Sequence, residues 1–359
     1  MMLNVLNRQK IELAGLDIGS SAVKLVRLNK GEDGCYTLIA AASESIASCP
    51  DDEKQRQQNR VDAVRTCLQK AGLKNGNLVC GLSGPEVVVR GFTFPPLPDG
   101  AVQQAVQMEA QQVCPLDMKH SVLDFQLIEA PQPASAAVAA KAAARQGVMT
   151  VATENAIRQQ TELLTQAGAT TAIVDVNALA MLNCLSELEQ LDEQETVAVI
   201  DVGNATSNVV VYGQDGLPFV RDINIAGASI IQDISRQREL PEEQIRRTFA
   251  QGQSSDQLDS KLLLAMSNAI RPLVNAINET LRFYSFQEKT SGVDRIFLCG
   301  GFALIEAFVE FLTDSVAMPV ALLNPFSTIL YDSDTAINKT LKKDGPAFAV
   351  AAGLAMRTR

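Results

Sequence analysis

The chain carries one sequence pattern twice, and this repetition limits its possible folds more than any other feature. The first copy reads IELAGLDIGSSAVKLVRLNKGEDGCYTLIA, and the second reads TVAVIDVGNATSNVVVYGQDGLPFVRDINIAG. Each copy has an apolar strand ending in Asp-x-Gly, an alternating strand, a glycine turn and a third strand. Asp17 and Asp201 mark the same place in the two copies and lie 184 residues apart, about half of the 359-residue chain. Since a repeated segment is one structural unit, the sequence predicts two related lobes, each opening with a three-stranded meander.

Length and composition agree with two lobes and exclude several functions. A chain of 359 residues is too long for one compact core, and 47% hydrophobic with 20% charged residues is an ordinary globular balance. The net charge of −10, from 31 Lys and Arg against 41 Asp and Glu, argues against general nucleic-acid binding, which needs clustered basic residues. With His120 as the one histidine, a Ser-His-Asp triad or a multi-histidine metal site is not expected.

Cysteine usage and hydropathy predict a cytoplasmic protein. The seven cysteines are odd in number, widely spread and form no CxxC, which excludes zinc-ribbon and thioredoxin-type patterns. Cys80 and Cys299 lie in apolar runs, where we expect them to pack as small hydrophobic residues. The first residues show no signal-peptide pattern, and no run of about 18 apolar residues predicts a membrane span.

A change of character follows the first copy. We interpret about 87–127 as a small inserted α+β subdomain, with a strand closed by prolines, a helix over Gly100–Cys114 and a second strand SVLDFQLIEA. The Ala-rich segment 131–147 is interpreted as a hairpin loop or a short exposed helix. After the second copy the chain is rich in helical patterns. It contains one buried strand running into Gly300-Gly301 and ends in the small-residue helix PAFAVAAGLAMR.

The two Asp-x-Gly turns have the residue types that a phosphate site needs. Glycine allows the backbone to come close to a phosphate, and hydroxyl, amide and lysine groups donate to its oxygens. Aspartates at strand ends can hold the waters around Mg²⁺. One Asp-x-Gly is a weak signal, because the tripeptide is common in ordinary turns. Two copies at matching places, with Gly300-Gly301 as a third glycine-lined wall, are a stronger one.

These elements, in this order, resemble the actin-like ATPase superfamily, which includes actin, sugar kinases and FtsA. DIGSSAVK resembles its first phosphate motif, DVGNATSNVVV its second and LCGGFALIEAF its adenosine motif. The segments Asp175–Leu185 and PAFAVAAGLAM resemble its two connecting helices. The resemblance implies a bilobed α/β fold of duplicated ribonuclease-H-like lobes. The first lobe would be 1–175 with the insertion, and the second 176–359 with a helical subdomain at about 229–290.

The resemblance also implies which residues bind ATP and Mg²⁺. The β- and γ-phosphates would contact Asp17, Gly19, Ser20, Ser21 and Lys24, and the opposing turn would be Asp201, Gly203, Asn204 and Thr206. A second phosphate-side loop holds Gly227, the ribose and base edge would meet Glu243 and Arg246, and the adenosine would face Gly300, Gly301 and Phe302. Mg²⁺ would be held mainly through water, with Asp17 and Asp201 as its outer partners. The resemblance assigns no catalytic residue.

Within the superfamily the chain is similar to the PilM family of type IV pilus assembly proteins. The similarity rests on LDIGSSAVKLVRL, on Pro95 and Pro98 before the helix AVQQAVQMEAQQVCPLD, on Asp124-Phe125-Gln126 and on VALLNPF. It implies an ATP- and Mg²⁺-binding cytoplasmic protein of the inner-membrane platform that serves pilus assembly and twitching motility. Its partners would be the cytoplasmic N-terminal peptide of the membrane protein PilN, held in a groove beside the insertion, and other platform proteins.

Two departures from the superfamily pattern bear on activity. Ala226-Gly227 stands where Gly-Gly is common, and Asn177 stands where Glu or Gln often positions the attacking water. Because phosphoryl transfer depends on positioning the nucleophile, we expect slow or no hydrolysis. A small-molecule kinase or active ATPase, and an FtsA-like filament-forming division protein, stay as alternatives, and a homo-oligomer stays open.

Several of these residues also have ordinary structural interpretations. Glu243 and Arg246 could form a solvated pair on a helix surface, and Asp175 and Asn177 could cap a helix. Met108 and the Pro115 region could belong to a peptide-docking surface, or only to the core and a helix end.

Overall fold

The computed structural model describes residues 13–49, 52–73, 77–128, 144–189, 191–192, 194–250, 255–288, 292–331 and 341–357. The strands are β1 Leu13–Ile18, β2 Ala22–Lys30, β3 Tyr36–Ser45, β4 Asn77–Leu82, β5 Val87–Phe94, β6 Ser121–Ile128, β7 Arg145–Thr153, β8 Thr170–Val176, β9 Val197–Val202, β10 Ser207–Tyr212, β11 Pro218–Ile223, β12 Arg295–Cys299 and β13 Val320–Leu322. The helices are α1 Glu53–Lys70, α2 Asp99–Val113, α3 Glu154–Gln166, α4 Asn177–Leu188, α5 Gly227–Arg238, α6 Glu242–Ala250, α7 Ser260–Glu288, α8 Glu306–Ser315 and α9 Ala349–Ala355.

The two large sheets repeat one topology. The first has the order β3-β2-β1-β4-β8 and the second β11-β10-β9-β12-β13. In both, the first three strands of the lobe pair antiparallel and the remaining two add in parallel. The predicted duplication of the opening meander is therefore confirmed, and it extends to complete five-stranded sheets.

Helices cover both faces of both sheets, as the near-continuous apolar strands require. Helices α1 and α3 pack on the outer face of the first sheet, and α5, α7 and α8 on the outer face of the second. Helices α4 and α9 lie between the sheets, in a core that contains Val79 from one lobe and Phe297 from the other. The last helix therefore returns to pack against the first lobe as well as the second.

Helices α4 and α9 cross with almost no space between their backbones. A Cβ added to Gly353 of α9 would collide with the carbonyl oxygen of Ala180 in α4. Any larger residue at position 353 would force the two helices apart. The small-residue composition of PAFAVAAGLAMR thus has a direct structural cause at this crossing.

The third sheet, β5-β7-β6, forms the inserted subdomain. Helix α2 packs on one of its faces through Val102 and Val106. The insertion was predicted over about 87–127, but its central strand is β7, so the sheet reaches Thr153. Most of the predicted Ala-rich loop at 131–147 lies outside the described residues, and its last residues belong to β7.

The inserted sheet also touches the second lobe. Gln146 of β7 donates through Nε2 to the carbonyl oxygen of Asp215 at 3.0 Å, in the turn between β10 and β11. In the same turn, the Cβ of Leu217 lies 3.3 Å from where a Cβ on Gly91 would be. The insertion therefore contacts the second lobe as well as the core between the two large sheets.

One further expectation is met by the described residues. Cys80 and Cys299 are fully buried, and burial raises the pKa of Cys80 to about 12, so both pack as hydrophobic residues. No helix in the described ranges is long and apolar enough to cross a membrane.

Candidate functional site

A cleft of about 680 Å³ opens between the two lobes, next to the ends of β1 and β9. Its walls hold thirteen of the fifteen residues predicted to contact ATP. These are Asp17, Gly19, Ser20, Ser21, Lys24, Asp201, Gly203, Asn204, Thr206, Arg246, Gly300, Gly301 and Phe302. The fold thus brings together residues that are up to 285 positions apart in the sequence.

The two Asp-x-Gly turns have the same backbone geometry. In the first, Gly19 N–H donates to the carbonyl oxygen of Ala22 at 3.0 Å, and in the second, Gly203 N–H donates to that of Thr206 at 3.2 Å. Each turn joins two antiparallel strands whose ends face the cleft. The repeated sequence therefore produces two similar glycine turns on opposite walls.

Charge distinguishes the two turns. Asp17 pairs across its hairpin with Lys24, whereas Asp201 pairs with the neutral Asn208. Lys24 Nζ lies 3.3 Å from Asp17 Oδ2. Burial, followed by the charge of Asp17, raises the pKa of Asp201 to about 6, and Lys24 and Asn208 only partly offset this. The cleft therefore has two carboxylates close to one lysine, an arrangement that a divalent cation would stabilise.

Within the described ranges, no group of three or more His, Cys, Asp or Glu side chains is arranged so that it could hold a metal ion by itself. A cation beside Asp17 and Asp201 would therefore take most of its ligands from water and from a bound phosphate chain. Mg²⁺ ordinarily binds in this way, through one or two carboxylates, waters and phosphates. The residues present fit the predicted ion.

Hydrogen bonds join the lobes across the mouth of the cleft, where the two Asp-x-Gly turns face each other. Asn204 donates through Nδ2 to Ser20 Oγ at 3.3 Å, from the second turn to the first. Arg246 of α6 donates through Nη1 to Asn204 Oδ1 at 3.3 Å, and its guanidinium lies 3.6 Å from Glu242. Asn204 is thus the link between the two turns and the helical side of the cleft.

The third glycine-lined wall follows β12. Gly300 has φ +94°, and a Cβ there would collide with the carboxylate of Asp201, so this position needs glycine for both conformation and space. A Cβ at Gly301 would meet nothing within 4 Å, because this residue faces the open cleft. Phe302 is buried beside it and packs edge-on against Phe308 with ring centroids 5.2 Å apart.

Two predicted residues do not line the cleft. Gly227 lies behind the second turn, where its N–H donates to the carbonyl oxygen of Gly203 at 3.0 Å. Glu243 is exposed on α6 and accepts a hydrogen bond from Arg247 Nε at 3.1 Å. Glu243 therefore belongs to a solvated ion pair on the helix surface, as one interpretation of the sequence proposed, but its partner is Arg247 and not Arg246.

The cleft also contains residues that the sequence interpretation did not include as ATP ligands. They include Ser83, Gly84 and Pro85 after β4, and Lys343 and Asp344 before the last helix. The Ser-Gly-Pro turn follows a parallel strand next to β1, so its place at the same sheet edge was a usable signal. Asn177 lines the cleft too; it is buried, and within the described structure its Oδ1 has no hydrogen-bond partner.

A second cavity, of about 720 Å³, lies on the other side of the junction between β8 and α4. We call it the groove. One wall is the face of the inserted sheet opposite α2, and the facing wall comes from β8 and α4. The remaining contacts come from the second lobe. Its main lining residues are Val122, Asp124, Gln126, Thr150, Ile173, Asp175, Leu179, Leu182, Asn183, Tyr212, Pro218 and Arg357.

Strand register explains the composition of the groove. Val122, Asp124 and Gln126 alternate along β6, and Asp124 pairs with Thr150 of β7. These side chains share one face, because alternate residues of a strand point the same way. Leu123, on the other face, packs with the core under α2. The face of the inserted sheet opposite α2 is therefore one wall of a cavity.

A family model for the type IV pilus assembly protein PilM matches residues 15–359. The chain belongs to the PilM family. A solved structure described as a PilM-PilN type IV pilus biogenesis complex has a chain that is 25% identical to this one, with a TM-score of 0.78. The match covers 96% of this chain and 98% of that chain. The predicted resemblance to the family is confirmed.

More distant structures share the fold of this PilM-family chain. The ethanolamine utilization protein EutJ from Carboxydothermus hydrogenoformans is 11% identical, with a TM-score of 0.55 over 96% of this chain and 88% of that chain. MreB 5 of Spiroplasma citri, solved with AMPPNP, is 12% identical, with a TM-score of 0.50 over 96% and 95%. With the duplicated sheets, these similarities confirm the predicted bilobed actin-like fold.

Proposed function

We propose that the chain is an ATP- and Mg²⁺-binding assembly protein of the type IV pilus inner-membrane platform. It is cytoplasmic and is held at the membrane by the cytoplasmic N-terminal peptide of PilN. Two facing Asp-x-Gly turns around one cleft support nucleotide binding. A groove between two sheet edges, in a chain of the PilM family, supports peptide binding.

The residues of the proposed nucleotide site have different roles. The two turns bring backbone amides and the Ser20 and Thr206 hydroxyls to opposite sides of the phosphate chain. Lys24 adds a cation, while Gly301 leaves open space for the adenosine. When bound, Mg²⁺ supplies the charge that offsets Asp17, Asp201 and the phosphates. Arg246 and Asn204 would close the mouth over the bound nucleotide.

We propose that this site binds ATP without rapid hydrolysis. Asn177 presents a short, neutral amide where a Glu or Gln would position the attacking water. Among the described lining residues of the cleft there is no histidine that could act as a general base. Phosphate release by the full chain with ATP and Mg²⁺ should stay well below about one per second. A faster rate would favour the enzyme alternative.

Thermal unfolding with ATP and Mg²⁺ tests the nucleotide site. A ligand at 100 times its Kd stabilises the folded chain by about 2.7 kcal/mol. Gly301→Trp should remove this gain, because the indole would fill the cleft, and Asp17→Ala should remove it through the loss of a carboxylate. Gly100→Trp is the matched control, since a Cβ there also meets nothing within 4 Å but lies at the start of α2.

The observation that supports peptide binding is the meeting of two sheet edges. β6 is the edge of the inserted sheet, β8 is the edge of the first large sheet, and both line the groove. Edge strands have unpaired backbone donors and acceptors, which an extended peptide can satisfy as an added strand. Apolar side chains such as Val122 and Leu182 alternate with polar ones along the walls, giving pockets for alternate peptide residues.

Titration of the full chain with a synthetic N-terminal PilN peptide tests the groove. Thr150→Trp, on the central strand of the groove wall, should reduce the affinity at least about tenfold, since a buried obstruction of this size removes several contacts. Met108→Trp is the control, because Met108 is exposed on α2, away from the groove. Equal affinities of Thr150→Trp and the wild type would disprove the groove assignment. A specific loss in Met108→Trp would move docking to the α2 surface.

A further inference from the structure

One charged side chain in the groove has an unmet hydrogen bond. Asp175, at the end of β8, is only 8% exposed and lines the cavity. Its Oδ1 accepts from the N–H of Val176 at 2.7 Å. Its Oδ2 is buried, and no described residue donates a hydrogen bond to it. A buried carboxylate oxygen in this state costs free energy that a ligand can recover.

Asp175 lies in an ion pair with Arg357, just after α9. Its Nε lies 3.1 Å from Asp175 Oδ2, yet this contact lacks the alignment of a hydrogen bond. The Arg357 side chain is 39% exposed, whereas that of Asp175 is 7% exposed. The pair is therefore incomplete: a buried acceptor faces a solvated guanidinium that leaves one of its oxygens unsatisfied.

The rest of the groove favours a positive ligand. Among the described lining residues the acids are Asp124 and Asp175, and Arg357 is the one basic residue. A guanidinium already reaches Asp175 Oδ2, so the space beside this oxygen admits that group. An arginine can donate two parallel hydrogen bonds to a carboxylate, which a lysine cannot do.

We propose that Asp175 binds the guanidinium of an arginine in the docked peptide, and that Arg357 is the internal group it replaces. This inference rests on the proposed peptide groove and adds a specificity-determining residue to it. The peptide arginine pairs with Asp175 from inside the groove, and Arg357 moves outward into solvent. The peptide arginine then donates the hydrogen bond that Asp175 Oδ2 lacks in the free chain, so arginine is favoured over other residues at that peptide position.

The proposal requires an arginine in the native N-terminal PilN peptide. The test uses the full chain and three synthetic forms of this peptide: the native one, one with the arginine replaced by citrulline and one with the arginine replaced by lysine. Citrulline keeps the shape of arginine and removes its charge. In the wild type we expect citrulline to weaken binding at least about tenfold, since leaving a buried charge unpaired is costly, and lysine to weaken it less. In Asp175→Asn, the native and citrulline peptides should bind within about twofold of each other.

Two further variants complete the experiment. Asp124→Asn removes the other groove carboxylate, which is exposed and accepts only from the N–H of Phe125 among the described partners; it should keep the full difference between native and citrulline peptides. Arg357→Gln should bind the native peptide several-fold more tightly, because no internal guanidinium has to leave. Weaker binding by Arg357→Gln would overturn the exchange.

The outcomes separate this inference from the groove assignment. Suppose that the native peptide binds and that Thr150→Trp blocks it. If citrulline then weakens the affinity of the wild type and of Asp175→Asn by the same factor, the arginine binds elsewhere, and only the inference fails. If Thr150→Trp binds normally, the groove assignment itself fails. Citrulline and native peptides of equal affinity for the wild type would overturn the inference without any substitution in the protein, so the test does not depend on the folding of Asp175→Asn. A PilN peptide that binds tightly and has no arginine overturns it as well.

Discussion

Replacing Asp201 with asparagine should stabilise the chain at neutral pH while removing its response to ATP and Mg²⁺. Burial and the nearby charge of Asp17 raise the pKa of Asp201 to about 6 from its ordinary value of 3.8. A carboxyl that titrates near 6 when folded and near 3.8 when unfolded lowers the free energy of unfolding by about 3 kcal/mol once it is ionised in both states. Asparagine keeps the shape and carries no charge.

The sign of the effect sets its pH dependence. Below about pH 3.8 the carboxyl is protonated in both the folded and unfolded chains, so it costs nothing. As the pH rises from 3.8 to 6, the unfolded chain releases the proton first, and wild-type stability falls relative to Asp201→Asn. Above pH 6 the full difference of about 3 kcal/mol is present. It is an upper value, since Asp201 is half-buried beside an open cleft.

The assay is thermal unfolding of wild type and Asp201→Asn at several pH values between 4 and 8, without nucleotide. With an unfolding entropy of about 2.1 cal/mol/K per residue, 3 kcal/mol raises Tm by about 4 °C in a chain of this length. Asp314→Asn, at an exposed position of α8, should change Tm very little at any pH. A variant that is less stable than wild type at pH 7.5, or a Tm difference that does not change with pH, would refute the electrostatic reasoning.

Three other substitutions test the packing and the cleft. Gly353→Ala should reduce the free energy of unfolding by about 1–3 kcal/mol in urea titration, because the new methyl group meets the carbonyl of Ala180; an unchanged midpoint would mean that the helix crossing is looser than described. Gly300→Ala should reduce the free energy of unfolding by at least about 1–3 kcal/mol, because its backbone has a φ of +94° that only glycine adopts readily. It should also weaken ATP binding by displacing Asp201; normal ATP affinity would contradict the clash. Lys24→Gln, measured by titration with ATP and Mg²⁺, should weaken nucleotide affinity at least about tenfold, and no loss would show that the lysine serves only Asp17.

Much of the fold follows from short-range rules that the sequence displays directly. The repeated Asp-x-Gly hairpins fix which residues face each other, so Asp17 meets Lys24 and Asp201 meets Asn208 in the register that the turn sets. The parallel strands then carry Gly300 to the same edge as Asp201. Residues of this kind were predictable because one local pattern, applied twice, determines their position.

The groove was not predictable in the same way. Asp124, Asp175, Tyr212 and Arg357 come from the insertion, the first large sheet, the second sheet and the segment after α9. No spacing in the sequence relates them, and their meeting depends on how the inserted sheet packs across the lobes. The rotation of a helix about its axis was also not predictable. Helix α6 directs Arg246 to the cleft and leaves Glu243 at the surface, and the three-residue spacing of the pair does not say which of the two faces the cleft.

The two cavities share the structural elements between them. Helix α4 begins at Asn177 in the cleft and continues to Leu182 in the groove, and α9 begins beside the cleft and leads to Arg357 in the groove. Because Gly353 leaves no space at the crossing of these helices, a shift of one helix must move the other and reshape both cavities.

If ATP changes the affinity for the PilN peptide by some factor, the peptide must change the affinity for ATP by the same factor. Titrating each ligand with and without the other measures that factor twice. Gly353→Ala should change it while leaving the lining of both cavities intact, whereas Thr150→Trp should remove peptide binding and keep the affinity for ATP.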